Sequence, residues 1–139
     1  MAATRSAVAR RRQGYQHDIE IRDHRLIADE PEDEGGDDAG PRPTELLAAS
    51  LASCTAMTIE MYADRKGWDL GKVEVTVHSE LPSTETPPKF DVTIRTPLQD
   101  ALTDEQRERI LVIAGKCPVH RTLKAQDVEI TDSLEMFEE

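Results

Sequence analysis

The chain has 139 residues, a length typical of one domain, and its formal net charge is −11 at pH 7. This acidic excess argues against nucleic acid or an anionic membrane surface as a partner, because both attract basic proteins. The sequence shows neither an apolar run near the roughly 20 residues that span a bilayer nor a secretory signal. We therefore expect a cytoplasmic protein whose two cysteines are reduced thiols.

The N-terminus is predicted to be a disordered basic tail over residues 1–13, followed by a single domain over residues 14–139. The tail carries four arginines and no acidic residue, and its few apolar side chains offer little surface to bury. Residues 15–22 then alternate between polar and apolar side chains, which predicts a strand. A second short strand over residues 25–28 completes a hairpin.

Residues 29–38 form an acidic loop that contains seven acidic residues and the pair Gly35-Gly36. This composition is typical of a solvated loop. We expect the loop to be mobile and dispensable, because its like charges repel one another and its glycines fix nothing. A calcium site is the alternative, although the spacing of the acidic residues does not match an EF-hand loop.

A long helix is predicted from Thr44 to Lys66. Pro43 suits a first-turn position, where its missing N–H is not needed, and Gly67 is a natural stop. Cys54 lies in the middle of this helix. Six residues share its helical face, which is predicted to be buried: Leu47, Ser50, Leu51, Met57, Thr58 and Met61.

Three further strands are predicted in the second half of the chain. Residues 72–81 and 90–95 alternate apolar and polar side chains, which predicts an antiparallel hairpin. Residues 127–131 give a last strand. With the helices, these strands indicate an α+β fold.

Two helices are predicted between the hairpin and the last strand. Thr103 and Gln106 form a capping-box pattern at the start of the first of them, which ends at Gly115. The second is short, and it runs from Cys117 through Leu123.

The two cysteines differ in their predicted surroundings. Pro118 at a first helical position would place Cys117 at the N-cap, where unpaired backbone N–H groups favour the thiolate and lower the pKa. Cys54 lies inside a helix and needs a cation or a hydrogen-bond donor from elsewhere to become reactive. If the two thiols meet, one can attack an oxidant and the other can close a disulfide on the resulting sulfenic acid.

Two other interpretations of the cysteines stay open. Cys54 taken alone can be a buried structural residue, since free cysteine is among the most buried residue types. A zinc site would use Cys54, Cys117 and His120, but the sequence has no closely spaced ligand pair such as C-x₂-C. We expect neither a metal ion nor a cofactor.

Two motifs together carry a resemblance to a known family: GPRPTELLAASLASCTAMT at residues 40–58 and KCPVHRTL at residues 116–123. The chain resembles the osmotically inducible protein C and organic hydroperoxide resistance superfamily, in element order over residues 15–134. The resemblance implies a strongly twisted antiparallel sheet wrapped around a long central helix. It also implies an intertwined homodimer with its active sites at the subunit interface.

The resemblance further implies a thiol-dependent peroxidase that acts in oxidative stress defence. In the family's peroxidases, the cysteine matching Cys54 attacks an organic hydroperoxide, and the cysteine matching Cys117 resolves the sulfenic acid as an intramolecular disulfide. A dithiol reductant then restores both thiols. The apolar face around Cys54 is expected to hold the alkyl group of the substrate.

The sequence departs from the peroxidases directly after Pro43. They carry a glutamate there, paired with an arginine that stabilises the thiolate, whereas this chain has Thr44, with Glu45 one place later. Nine positions at about 100° per residue place Glu45 on the opposite side of the helix from Cys54. Glu45 is therefore expected to favour the helix N-terminus electrostatically.

The activating arginine has no motif that can be matched, and the candidates are Arg22 and Arg25 in the N-terminal hairpin. The chain is closer to the family's less characterised branch than to its hydroperoxide reductases. A non-enzymatic redox-responsive or small-molecule-binding protein is therefore the alternative function.

Overall fold

The computed structural model describes residues 5–81, 83, 85–97 and 102–138. The elements in chain order are β1 (Val8–Gln13), β2 (Gln16–Ile21), β3 (His24–Ala28), α1 (Pro43–Lys66), β4 (Glu74–Glu80), β5 (Lys89–Arg95), α2 (Asp104–Ala114) and α3 (Pro118–Lys124). The first three strands form an antiparallel sheet in the order β1-β2-β3, and β4 pairs with β5 in a second sheet. The predicted α+β class is confirmed.

The chain divides into two compact units. The first comprises the residues up to Ser50 together with Val77–Asp91, and the second comprises Leu51–Thr76 and the residues from Val92 onward. Helix α1 contributes residues to both units. The prediction of a single domain over residues 14–139 concerns the chain as a whole and stays a prediction.

Strand β1 takes up the last six residues of the disordered tail predicted for residues 1–13. All of its residues are exposed, and antiparallel pairing with β2 holds it in place, with Arg10 opposite Asp18. The Arg10 guanidinium also lies 2.8 Å from the Glu20 carboxylate. The prediction of disorder is wrong for β1 because backbone pairing and cross-strand charges stabilise it without apolar burial. Residues 1–4 lie outside the described residues.

The acidic loop is folded around Asp29, which is 2% exposed. Its carboxylate accepts hydrogen bonds from the backbone N–H groups of Glu30, Asp37 and Ala39 at 2.8, 3.2 and 3.1 Å. The bond from Ala39, with those from the other two N–H groups, holds the pKa of Asp29 below its ordinary value. One acidic side chain therefore organises the loop.

Glycine is required at two positions of the same loop. Gly35 follows a turn of 3₁₀ helix at Glu32–Glu34 and has a φ of 91°, in the left-handed region. A Cβ atom at Gly36 would overlap the carbonyl oxygen of Glu30. The interpretation of a loop whose glycines fix nothing is therefore wrong.

Helix α1 begins at Pro43, one residue before the predicted start, and ends at Lys66 as predicted, and Gly67 follows it with a φ of 72°. Its fully buried residues recur at every fourth position: Leu51, Thr55, Ile59 and Ala63. Ile59 and Ala63 belong to the hydrophobic core of the second unit. Leu70 and three α2 residues, Ile110, Ile113 and Ala114, complete this core.

Helix α1 is also long and apolar enough to cross a membrane, by length and composition only. An 18-residue window has a mean hydropathy of 1.3, and 22% of that window is buried. This differs from the expectation of no such run, because single Ser and Thr residues interrupt the apolar sequence without lowering its average much. The helix contributes a buried ridge to the core of the second unit, as the core helix of a globular protein does.

Helix α2 begins with the predicted capping box. The Thr103 hydroxyl accepts a hydrogen bond from the Gln106 N–H at 3.1 Å, and the Gln106 side chain accepts one from the Thr103 N–H at 2.9 Å. After α2, the N–H groups of Lys116 and Cys117 donate to the carbonyls of Ile113 and Ala114. These bonds give a tight connection into α3.

The last strand, predicted over residues 127–131, is not formed. Residues 127–138, the C-terminal segment, contain no helix or strand. Five of its large apolar side chains are more than half exposed: Val128, Ile130, Leu134, Met136 and Phe137. A strand needs a paired neighbour, and within the described residues β4 and β5 pair only with each other.

Candidate thiol site

Both cysteines belong to the second compact unit, and both are free thiols. Cys54 lies midway along α1 and is half-buried. Cys117 lies between α2 and α3 and has no exposed surface. The structure therefore places one thiol on a helix face and the other at a helix start.

Cys117 is the N-cap residue of α3, as the Cys-Pro sequence predicts. Pro118 occupies the first helical turn, where a missing N–H is tolerated, and the Cys117 backbone is extended with a φ of −55° and a ψ of 129°. The Cys117 sulfur accepts a hydrogen bond from the His120 N–H at 3.5 Å. The Cys117 carbonyl accepts another from the Arg121 N–H at 3.0 Å.

The two thiols are hydrogen-bonded to each other. The Cys54 sulfur also accepts a hydrogen bond from the Val119 N–H, and it bonds to the hydroxyl of Thr58, one turn further along α1. Consecutive N–H groups of α3 therefore donate to the two sulfurs. The Val119 N–H donates to Cys54, and the His120 N–H donates to Cys117. The two thiols are therefore neighbours in the second unit.

The surroundings of Cys54 raise its pKa. Burial is the largest cause, because it disfavours the charged thiolate, and the hydrogen bond with Cys117 acts in the same direction. The Val119 N–H and the Thr58 hydroxyl act in the opposite direction, since both stabilise negative charge on sulfur. In the single chain the balance favours the neutral thiol.

The helix face that carries Cys54 is less buried than the sequence predicts. The buried ridge of α1 passes through Leu51 and Thr55, and Cys54 lies one residue, about 100°, to the side of that ridge. Met57 and Met61, which share the Cys54 face, are 58% and 64% exposed. Apolar surface beside Cys54 is therefore free to contact a ligand or another chain.

Two of the charged residues considered for Cys54, Glu45 and Arg25, have contacts of their own. Glu45 accepts a hydrogen bond from the Arg42 backbone N–H at 2.9 Å, as a residue in the first turn of α1. This agrees with the expected role at the helix N-terminus. Arg25 pairs with Glu20 at 3.1 Å, and Arg22 lies in the β2–β3 turn with a φ of 55°.

Sequence reasoning found some members of this site and missed others. Thr58 lies four residues after Cys54, so helical spacing placed it on the same face. The contribution of Val119 comes from a backbone N–H, which leaves no signature in the residue type.

Two buried polar atoms near the cysteines in sequence, Thr55 Oγ1 and His120 Nδ1, have no hydrogen-bond partner among the described residues.

A metal centre was one alternative for these residues. Among the residues that the structure describes, no group of three or more His, Cys, Asp or Glu side chains is placed to hold a metal ion. The contacts that the structure gives to the two cysteines are those of a thiol pair.

Comparison with protein families gives a match over most of the chain. A family model described as OsmC-like protein matches residues 35–131. An uncharacterized protein of Haloferax volcanii is 31% identical over 91 residues, which is 63% of this chain and 67% of that protein.

Solved structures of similar fold come from several bacteria. An OsmC-like protein from Mycoplasma pneumoniae has a TM-score of 0.70 and 18% identity, with 91% of each chain covered. An organic hydroperoxide resistance protein OsmC from Legionella pneumophila has a TM-score of 0.63 and 22% identity over 88% of this chain and 92% of that one. The organic hydroperoxide resistance protein OhrB of Bacillus subtilis has a TM-score of 0.59 and 21% identity over 89% and 93%.

Proposed function

Because this chain belongs to the OsmC-like protein family, we propose that it is a thiol-dependent peroxidase that reduces organic hydroperoxides. Two proteins of similar fold are named organic hydroperoxide resistance proteins, which supports a peroxide-related role. The finer assignment of the reaction rests on the thiol site of this chain.

The observation that carries the proposal is the hydrogen bond between the thiols of Cys54 and Cys117. The cysteines lie far apart in the sequence, and they meet only because α3 begins beside the middle of α1. A thiol pair in contact can exchange two electrons with an oxidant and close a disulfide without a cofactor.

The proposed reaction has three steps. The Cys54 thiolate attacks the distal oxygen of the hydroperoxide, so that the O–O bond breaks, Cys54 becomes a sulfenic acid and the alkoxide leaves as an alcohol after taking up a proton. Cys117 then attacks the Cys54 sulfur, which forms the disulfide and releases water. A dithiol reductant returns both cysteines to thiols, in a reducing compartment such as the cytoplasm.

The first step needs a thiolate, yet burial raises the pKa of Cys54 in the single chain. In the proposal, a second copy of the chain covers the Cys54 face of α1 and supplies the activating cation. The exposed side chains of Met57 and Met61 beside Cys54 support this arrangement, because a dimer interface there would lie against the thiol. It is also the subunit arrangement that the family resemblance implies.

Free-thiol counting tests the reaction directly. The reduced protein is mixed with one equivalent of cumene hydroperoxide, and its free thiols are counted over time under denaturing conditions. A peroxidase loses both thiols within seconds and regains them with a dithiol. Thiols that persist for as long as those of a denatured control would contradict the proposal.

Single variants separate the roles of the two cysteines. Cys54→Ser is expected to abolish peroxide consumption. Cys117→Ser is expected to react once and stop at a sulfenic acid on Cys54, which dimedone traps as an adduct detected by mass spectrometry. Ser133→Ala, at an exposed position of the C-terminal segment, is the control and should behave as the wild type.

A second candidate is a non-enzymatic, redox-responsive or small-molecule-binding protein. The raised pKa of Cys54 favours it, because a neutral thiol reacts slowly with peroxide. This protein would form the same disulfide only under excess oxidant and over minutes to hours. The rate measured with one equivalent of peroxide therefore decides between the two candidates.

A further inference from the structure

We propose that His120 is the proton acceptor for the Cys117 thiol when the disulfide with Cys54 forms. The first observation is that the His120 Nδ1 atom is buried and has no hydrogen-bond partner among the described residues. A buried ring nitrogen without a partner is costly and calls for an explanation, and a catalytic role is one that such atoms have. The proposal rests on the proposed function for its peroxide step, but not for the disulfide step itself.

The second observation is the place of His120 on α3. With Cys117 at the N-cap, His120 is the third helical residue, and its backbone N–H already bonds the Cys117 sulfur at 3.5 Å. A side chain at this third position reaches back toward the N-cap residue, as in a capping box. The imidazole therefore belongs to the same helical turn as the Cys117 thiol.

The third observation is the partial burial of His120. The residue as a whole is half-buried, although its Nδ1 atom is not accessible. In the tautomer with hydrogen on Nε2, Nδ1 is an acceptor that faces the protein. An imidazole placed in this way can take up a proton inside the site and release it at the surface.

The chemistry needs such an acceptor. Cys117 must lose its proton to attack the sulfur of oxidised Cys54, and its own sulfur is fully buried. Transfer of that proton to Nδ1 accompanies formation of the S–S bond. After oxidation by peroxide, the imidazolium returns the proton to the departing hydroxide, which leaves as water, so no further reactant is required.

The other buried polar atom without a partner near the cysteines does not fill this role. Thr55 Oγ1 belongs to a hydroxyl, which is not a base near neutral pH. Its residue is also part of the buried ridge of α1, one residue aside from Cys54. His120 is thus the better placed proton acceptor.

The test follows disulfide formation with 5,5′-dithiobis(2-nitrobenzoate), so that no peroxide reaction is needed. In rapid mixing, Cys54 releases one thionitrobenzoate as it forms a mixed disulfide, and attack by Cys117 then releases the second. Both releases are read from absorbance. His120→Asn keeps a polar side chain of similar reach that cannot act as a base, and His78→Asn removes an exposed histidine as the control.

We expect His120→Asn to leave the first release within about twofold of wild type and to slow the second by about 100-fold, the usual contribution of general base catalysis. Free imidazole should restore part of the second rate in His120→Ala. A second release at the wild-type rate in His120→Asn would overturn the proposal. Equal slowing of both releases, or no effect of imidazole, would assign His120 a structural role and would overturn it as well.

Failure of the proposed peroxidase function can be distinguished from failure of the proposal for His120. If the wild type releases both thionitrobenzoate groups but does not consume cumene hydroperoxide, the peroxidase assignment is wrong. The role of His120 in disulfide formation is then still decided by the two variants.

Discussion

The ionisation of Cys54 depends on four neighbouring influences that act in opposite directions. Burial and Cys117 raise its pKa, whereas the Val119 N–H and the Thr58 hydroxyl lower it. Because the thiolate is the nucleophile, each of these groups changes the reactivity of the site. Of the two groups that lower the pKa, Thr58 is the one whose contribution a side-chain substitution can remove.

Replacing Thr58 by valine is expected to raise the pKa of Cys54 further, because the hydroxyl that stabilises the thiolate is lost. In a Cys117→Ser background, where Cys54 is the remaining thiol, alkylation by iodoacetamide at pH 8 should slow several-fold. Thr58→Ser keeps the hydroxyl and is expected to react like the parent. Equal alkylation rates for the valine and serine variants would show that the hydroxyl does not act on the thiolate.

Local signals in the sequence predicted part of the candidate site. A proline after Cys117 fixes an N-cap with little help from the rest of the chain, and helical spacing alone relates Thr58 to Cys54. The bond from the Val119 N–H depends on how α3 packs against α1, which a single sequence does not specify. The same dependence on long-range packing explains why no arginine could be assigned to Cys54.

At the scale of elements, the acidic loop shows where composition misleads. Seven acidic residues in ten predict repulsion, but the backbone turns its N–H groups toward one of them, Asp29. A carboxylate with three N–H donors stabilises a loop that carries like charges elsewhere. The path of the backbone therefore overrides the charge pattern.

Asp29→Asn is expected to lower the melting temperature at pH 7 by several degrees, because both carboxylate oxygens accept backbone N–H groups, whereas an amide keeps one acceptor oxygen and places an NH₂ group where the other was. The folded-state pKa of Asp29 is lowered, so its stabilisation is present above the ordinary value of 3.8 and is lost as pH falls below it. The difference in melting temperature between Asp29→Asn and the wild type should therefore shrink below pH 3.8. Melting curves from pH 7 to pH 2.5 measure this.

Asp33→Asn removes a charge at an exposed position of the same loop and serves as the matched control. Its melting temperature should change little or rise slightly. If Asp29→Asn proves as stable as Asp33→Asn at pH 7, the loop is dispensable after all, and the hydrogen bonds of Asp29 contribute nothing measurable.

The strands also show which elements a sequence pattern predicts and which it misses. The sequence pattern identified β2, β3, β4 and β5, and in β5 exposed and half-buried residues alternate along the whole strand. It missed β1, which is exposed and depends on pairing with β2. It also predicted a strand in the C-terminal segment, whose alternating apolar residues have no strand beside them in the described chain.

At the scale of the molecule, many large apolar side chains are exposed in the single chain. They include Met57 and Met61 on the Cys54 face of α1 and five residues of the C-terminal segment. A soluble monomer rarely exposes so many large apolar side chains, and a second copy of the chain is the partner that we propose. The contacts that activate Cys54 would then form only on assembly.

Sedimentation equilibrium at micromolar concentration is expected to give twice the monomer mass for the wild type. Met61→Asp should shift the protein toward the monomer, because a charge would be buried in the proposed interface. Glu60→Gln changes an exposed neighbour on α1 and should remain dimeric. A wild type that sediments as a monomer would remove the proposed source of the activating cation.

The net charge also predicts how the whole molecule responds to salt. The chain has 28 acidic and 17 basic residues, so its long-range electrostatic energy is repulsive. The ion pairs found among the described residues are solvent-accessible, as in the pairs of Glu20 with Arg10 and Arg25, and pairs of this kind contribute about 0–1 kcal/mol each. Salt screens both kinds of interaction, but the repulsion extends over the entire surface.

We therefore expect the melting temperature to rise by several degrees between low salt and 1 M NaCl, as the Debye length falls from about 30 Å at 0.01 M to about 3 Å. The triple variant Asp33→Asn, Asp132→Asn, Glu135→Gln removes three exposed negative charges. It should melt higher than the wild type at low salt and gain less from added NaCl, whereas Ser133→Ala should follow the wild type. KCl should act like NaCl, since screening depends on ionic strength.

A melting temperature that falls with salt would mean that the exposed ion pairs outweigh the net repulsion. Equal gains in the wild type and the triple variant would mean that the salt effect does not come from the surface charge.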